Sequence, residues 1–359
     1  MKMTFKSAFV AFLATIFSLN LSAQSVPVAV LQHGDDVKTF TGTTAFKEAM
    51  DAAESGDLIS LSAGVFQFVD IKKAVKIQGA GYVQNEEKGR YRTTLDLTYT
   101  GYDRHYIDIP QNDQGLFIEG IYFQSNKNRR LQAKGFLQQF VIKNCYLGYF
   151  VLGSTNGSNS PSCDASNGLI EQCKIETLSP GTVVNLKIKN SVIGYLMSGY
   201  DGGTMHIDHC VLTGIPASYN AVYSDSNGLF TNSLIHSLNS SSNSQYYNNV
   251  ILANSTSTAL NTANAEGNIT FTSGQKDEYC AFFQDPTHGE TFDVSYDYKL
   301  TDEAASMYIS NDGTQVGIYG GEKPFTDVPS NPQITAKQIA TQSDADGKLS
   351  VKITVEAQK

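Results

Sequence analysis

The sequence predicts an all-β solenoid of short strands. Three observations carry this: a six-fold repeat through the middle of the chain, alternating apolar residues inside each copy, and Gly, Ser and Asn between copies. Each copy reads apolar, any residue, then Asn, Gln or His, then Cys, Ser or Val, any residue, and Leu or Ile. The copies begin at Ile142, Ile170, Ile188, Ile207, Phe230 and Tyr247. The polar slot holds Asn144, Gln172, Asn190, His209, Asn232 and Asn249; the next holds Cys145, Cys173, Ser191, Cys210, Ser233 and Val250. Leu147, Ile175, Ile193, Leu212, Ile235 and Leu252 close the copies. Repeats of about 20 residues are too short for paired helices and suit one β-coil each.

At the start of the chain, Lys2 and Lys6 precede an apolar run from Ala8 to Phe17 and then Ser22-Ala23, the order of a secretory signal peptide over residues 1–23. That run is too short to span a bilayer, so no membrane-spanning segment is expected in the mature form. The chain carries 26 basic and 35 acidic residues, a net charge of −9, which argues against nucleic acid as a partner. From Thr43 to Gly56 the pattern predicts a short helix, with Thr43 or Thr44 at its N-cap and Ala45, Phe46, Ala49, Met50 and Ala53 on one face. Such a helix covers the open first coil.

Stacked strands repeat at about 4.8 Å, so the Asn slot is expected to form a column of amides bonding from coil to coil. The outward column beside it reads Lys143, Glu171, Lys189, Asp208, Thr231 and Asn248. Opposite charges in adjacent rows support one another, which makes Glu171 and Asp208 structural residues. Five cysteines are an odd number, and three of them share one ladder slot; Cys145, Cys173 and Cys210 read as small buried side chains rather than disulfide partners. No Cys and His spacing suggests a metal site. At the other end, Leu349, Val351, Ile353 and Val355 alternate strictly and predict a terminal strand within a C-terminal β segment, residues 322–359, that closes the solenoid.

The ladder resembles that of right-handed parallel β-helix proteins of the pectate-lyase-like superfold. Ala52-Ala53-Glu54-Ser55-Gly56-Asp57-Leu58-Ile59-Ser60-Leu61 and the Ser62-Ala63-Gly64-Val65-Phe66 that follows look like the opening of many secreted β-helix proteins, chondroitinase-B-like and alginate-lyase-like enzymes among them. Asp297-Tyr298-Lys299-Leu300 and Asn311-Asp312-Gly313-Thr314 through Gly321 are similar to the closing coil of such proteins from Bacteroidetes-type bacteria. The resemblance implies a single-stranded right-handed parallel β-helix over residues 24–321, with a short N-terminal capping helix and a C-terminal β appendage. It also implies an exported protein, periplasmic, cell-surface or secreted, with an extended polysaccharide lying along the stacked strands.

The chemistry is expected off the ladder. All five arginines lie between residues 90 and 130, and Lys127, Arg129, Arg130 and Lys134 form a basic patch suited to a carboxylate or sulfate. Asp103-Arg104-His105-Tyr106 offers a cation, a base and an acid for elimination from a uronic acid, with Arg104, His105 and Tyr106 as the catalytic candidates. Adjacent strand residues point to opposite faces, so Arg104 pairs with Tyr106, or Asp103 with His105. Arg129, Arg130, Tyr200, Asp201 and His206 are the carbohydrate-binding candidates, and Tyr195, Tyr219 and Tyr223 are further aromatics for a groove. Residues 153–168 and 236–245 are loops rich in Gly, Ser and Asn, able to bond hydroxyls. Coils after residue 135 contain no Arg, which departs from the lysine and arginine motif of the lyases the chain resembles. The sequence therefore favours a polysaccharide-binding β-helix without a motif-defined catalytic site. No cofactor is expected for that reading. A polysaccharide lyase, for which Ca2+ is an optional cofactor, or a glycoside hydrolase is the alternative, and a surface adhesin a third reading.

Overall fold

The computed structural model describes residues 26–87, 90–98, 104–125, 129–153, 163–197, 203–213, 228–238, 244–253, 265–330, 333–339, 342–343 and 346–356. The expected signal peptide lies outside the described residues. The architecture is dominated by long, mostly parallel sheets with few helices, compatible with the β-helix expected from the sequence. A twelve-stranded sheet runs from Asp36–Thr41 at one edge to Ala265–Glu266 at the other. A second, thirteen-stranded sheet runs from Gly64–Gln67 to Ile269–Phe271 and carries three side strands, Arg104–Ile109, Arg130–Gln138 and Cys163–Ser166. From Val141 onward each ladder copy gives one strand to the first sheet and the next to the second, as Ile142 lies in Val141–Lys143 and Leu147 in Tyr146–Val151.

The alternation read from the sequence is what fills the interior. Ile77, Ile118, Ile142, Ile170, Ile188, Ile207 and Phe230 stand in register, row after row, and none is exposed. Facing them, Phe123, Leu147, Ile175, Ile193, Leu212, Ile235 and Ile251 form the matching column of the second sheet. Burying each of these side chains stabilises the fold by about 1.5–3 kcal/mol relative to exposure. Helix α1, Ala45–Ala52, forms within the expected span and buries Ala45, Phe46, Ala49 and Met50 in the same core.

The ladder slot has a different basis from the one its amides suggested. Asn144, Gln172, Asn190, His209 and Asn232 all adopt left-handed backbone, with φ between 46° and 55°, where the chain turns between the two sheets. Asn tolerates this conformation at less cost than most side chains. Instead of bonding to one another, three of the amides reach a strap formed by residues 310–330. Asn144 Nδ2 donates to Thr326 O (2.5 Å), Gln172 Nε2 to Pro324 O (2.7 Å), and Asn190 Nδ2 to Ile318 O (3.0 Å) and Gly320 O (2.7 Å). Row-to-row bonding occurs one residue later: Cys173 N–H donates to Ser191 Oγ, Cys210 N–H to Ser233 Oγ and Ser233 N–H to Asn249 Oδ1. That last bond exposes a register correction. Tyr246, not Tyr247, pairs with Phe230, so the sixth copy begins one residue earlier, and Asn248 (φ 56°) takes the turn.

Cys145, Cys173 and Cys210 are free and buried, in agreement with the sequence reading, and so are Cys163, at the start of a strand, and Cys280. The column charges align in register as expected, Lys143 beside Glu171, Glu171 beside Lys189 and Lys189 beside Asp208, while the closest ion pairs run from Lys143 to Glu119 (3.9 Å) and from Lys323 to Glu171 (3.7 Å). Asp208 is held below the usual carboxylate range, against its burial, by His209, Thr231 and Asn232. Residues 276–325 cover the outer face of the second sheet, where Tyr279, Phe283, Tyr298, Val316, Ile318 and Phe325 bury Val192, Val211, Leu234 and Val250. Lys174 is sealed beneath this cover; it donates to Val294 O (2.7 Å) and Tyr296 O (2.5 Å), and burial pulls its pKa down to about 8. The expected terminal strand forms at Val351–Glu356, but it pairs antiparallel with Gln333–Ile339 in a separate two-stranded sheet. Among the described residues it adds to neither long sheet, and its hairpin partner pairs one of its two edges.

Candidate functional site

The side strands Arg104–Ile109 and Arg130–Gln138 build a face that the strap leaves uncovered. In Arg104–Ile109 burial alternates, placing Arg104, Tyr106 and Asp108 outward and His105, Ile107 and Ile109 inward. Parallel pairing sets Arg104 opposite Arg130, Tyr106 opposite Gln132 and Asp108 opposite Lys134. Lys134 Nζ bonds Asp108 (3.0 Å) and lies 5.6 Å from the Tyr106 ring centroid. Gln132 is buried beside Tyr106 with its Oε1 unpartnered.

Arg130 in turn sits 5.5 Å from the Tyr149 ring centroid, and Tyr149 aligns with Thr177, which aligns with Tyr195. All five side chains are half-buried. Arg104, Arg130, Tyr149, Thr177 and Tyr195 thus form one outward column perpendicular to the strands. Tyr149 Oη donates to Met197 Sδ (3.2 Å), two strands further on, so its ring leans along the column instead of standing off it. Row spacing of about 4.8 Å gives the column a length of about 19 Å.

At the Arg104 end the column opens into a cleft of about 770 Å³ between helix α1 and the strand. Lys47, Met50 and Asp51 of the helix form one wall, Arg104 and Tyr106 the other, and Phe68–Lys73 the floor. Two of its charged groups are committed to structure. Lys73 Nζ donates to Met50 O, Asp51 O and Ala53 O at the C-terminal end of the helix, and Asp70 Oδ1 accepts from Tyr106 N–H (2.9 Å).

The expected candidates divide accordingly. Arg104 and Tyr106 share the cleft, as alternation requires, and Arg130 extends their face. His105 also borders the cleft but faces inward: 4% exposed, it packs edge-on against Phe68 (5.3 Å) and bonds Leu97 O (2.6 Å), and burial lowers its pKa. Arg129 turns aside to donate to Leu97 O and Thr98 O. His206 stands on the first sheet, away from this face; its Nε2 contacts Thr231 Oγ1 (2.9 Å) and burial lowers its pKa. Asp103, Lys127, Tyr200, Asp201, Tyr219 and Tyr223, with residues 154–162 and 239–243 of the two expected loops, lie outside the described residues, whereas the strands Cys163–Ser166 and Leu234–Leu238 take up residues expected in loops.

Sequence reasoning missed Tyr149 and Thr177. A signal existed: they sit at the same offset from Ile142 and Ile170 as Tyr195 does from Ile188. The arrangement can pair an anion or hydroxyls with guanidinium groups and stack apolar sugar faces on tyrosine rings. Among the described residues no three His, Cys, Asp or Glu side chains converge as metal ligands. No helix among the described residues is long and apolar enough to cross a membrane. No protein-family model matches the chain, and no curated protein matches it.

Proposed function

We propose that the chain is an exported right-handed parallel β-helix of the pectate-lyase-like kind that binds an extended polysaccharide without cleaving it. The observation that carries this reading is the outward column Arg104, Arg130, Tyr149, Thr177 and Tyr195. Its spacing is close to the length by which one sugar extends a chain. Two guanidinium groups are followed along it by two rings with a hydroxyl between them, a set that suits a hydroxylated ligand with apolar faces. The ligand would then lie along the stack rather than across it.

Affinity electrophoresis and calorimetry against uronate-containing, sulfated and neutral polysaccharides test the proposal. Tyr149→Ala and Tyr195→Ala are each expected to weaken binding about tenfold, the equivalent of about 1.4 kcal/mol of lost stacking. Retention of no polysaccharide overturns it. Release of unsaturated or reducing ends would replace it with the lyase or hydrolase reading.

A further inference from the structure

We infer that the site recognises the end of a glycan chain, not its interior; this rests on the polysaccharide-binding reading above. The column is blocked at one end. Ile71 bridges Ile107 in parallel, with Ile71 N–H donating to Tyr106 O (3.0 Å) and Asp108 N–H to Ile71 O (2.8 Å). The segment Phe68–Lys73 is therefore the row before Arg104–Ile109, and all of it except Ile71 forms the floor of the cleft. Beyond that floor stands helix α1.

The wall is not a loop that could swing aside. Phe46, Ala49 and Met50 anchor it in the main core, and Lys73 clamps three carbonyls at its C-terminal end. A glycan laid on the tyrosines and continued past Arg130 and Arg104 meets this helix after one more row. It has room there for a terminal unit, since about 770 Å³ lies within the range of pockets that enclose small ligands. A terminal sugar differs from an internal one by a free hydroxyl where the next linkage would be. The rim meets that hydroxyl with an exposed ion pair, Lys47 with Asp51 on the helix, and the exposed Lys72. Met50 and Phe68 supply apolar surface below it.

The test is calorimetry of the full chain against a length series of whichever polysaccharide it retains, with one end or the other blocked by a bulky label. The expected result is one protein per glycan chain at every length, with binding abolished by a label on one end and tolerated on the other. The two labels decide whether the reducing or the non-reducing terminus enters. Stoichiometry that rises in proportion to chain length, with both labels tolerated, would overturn end recognition while leaving polysaccharide binding intact. Retention of no glycan removes both. The double variant Lys47→Ala, Asp51→Ala changes only exposed side chains on α1, so the fold is preserved. It is expected to bind oligomers about tenfold more weakly; unchanged affinity would show that the helix wall does not touch the ligand.

Discussion

Asn190 allows the two roles of the ladder slot to be separated. It is 4% exposed, its φ is 46°, and its amide donates to Ile318 O and Gly320 O of the strap. Ile318 O keeps a second donor, the Phe325 N–H (2.7 Å), whereas no other described donor reaches Gly320 O. Replacing Asn190 by Gly preserves the left-handed backbone and leaves one buried carbonyl unpaired, a loss of about 2 kcal/mol. Replacing it by Ala adds the left-handed penalty of about 1–2 kcal/mol, partly offset by the greater unfolded-state freedom of Gly. Asn190→Ala should therefore be less stable than Asn190→Gly by about 1 kcal/mol. The order reverses at Lys187, an exposed residue within a strand of the first sheet, where Gly should be worse than Ala by about 0.5–1 kcal/mol. Equilibrium unfolding in urea followed by far-ultraviolet circular dichroism measures all four variants. If Ala matched or exceeded Gly at 190, backbone conformation would not be what selects Asn there. If both were neutral, the strap would not be held by this amide.

The other predictions concern buried groups. Lys174 has a folded pKa of about 8, below its ordinary 10.5, so the unfolded chain binds more protons between these values and stability from this group rises with pH across that window. Wild type should gain on Lys174→Met by about 3 kcal/mol from pH 8 to 10.5, and a flat difference would place the ammonium in solvent. His236 is pushed down to about 4 by burial, with neither ring nitrogen partnered, so its contribution is complete above pH 6.5 and is lost as pH falls toward 4. His236→Leu should flatten the acid limb of a stability profile, and an unaltered limb would refute the burial. Gly168→Ala would set a Cβ 2.2 Å from the fully buried Phe140 ring, so a loss of about 1–3 kcal/mol in urea unfolding is expected, and a neutral result would show that the ring can retreat. Burial raises the thiol pKa of Cys163 to about 12 and of Cys280 to about 11, and all five thiols are buried. A thiol reagent should modify none in the native protein and five after unfolding; rapid native labelling would contradict the packing.

The inner columns were legible because period-two alternation depends only on which residues are apolar. Ile142, Ile170, Ile188 and Ile207 declare themselves without any knowledge of their neighbours. The last copy was misplaced by one residue because Tyr246 and Tyr247 are both aromatic and Asn248 and Asn249 both Asn, so either register satisfies the pattern. The copy at Ile118 escaped notice because Gly120 takes the left-handed turn with no side chain to mark it. The amides were assigned to each other because the strap that accepts them lies over a hundred residues further along the chain in each case. Of the site, alternation put Arg104 with Tyr106 and Asp103 with His105, without telling which pair faces outward. The cleft was not legible, since stacking brings α1 to residues more than fifty positions away.

The strap also measures. From Gly317 onward its residues descend the ladder in reverse order: Gly317 meets Asn232, Gly320 meets Asn190, Pro324 meets Gln172, Thr326 meets Asn144, and Ser330 meets Glu119, while ahead of that run Asn311 meets Asn232 and Asp312 and Thr314 meet His209. A coil inserted or deleted between Glu119 and Asn232 would throw every later pairing out of step, whereas a loop of any length between coils would pass unnoticed. The number of coils in this span is thus fixed by the length of a distant segment. So is the number of rows in the outward column over that span.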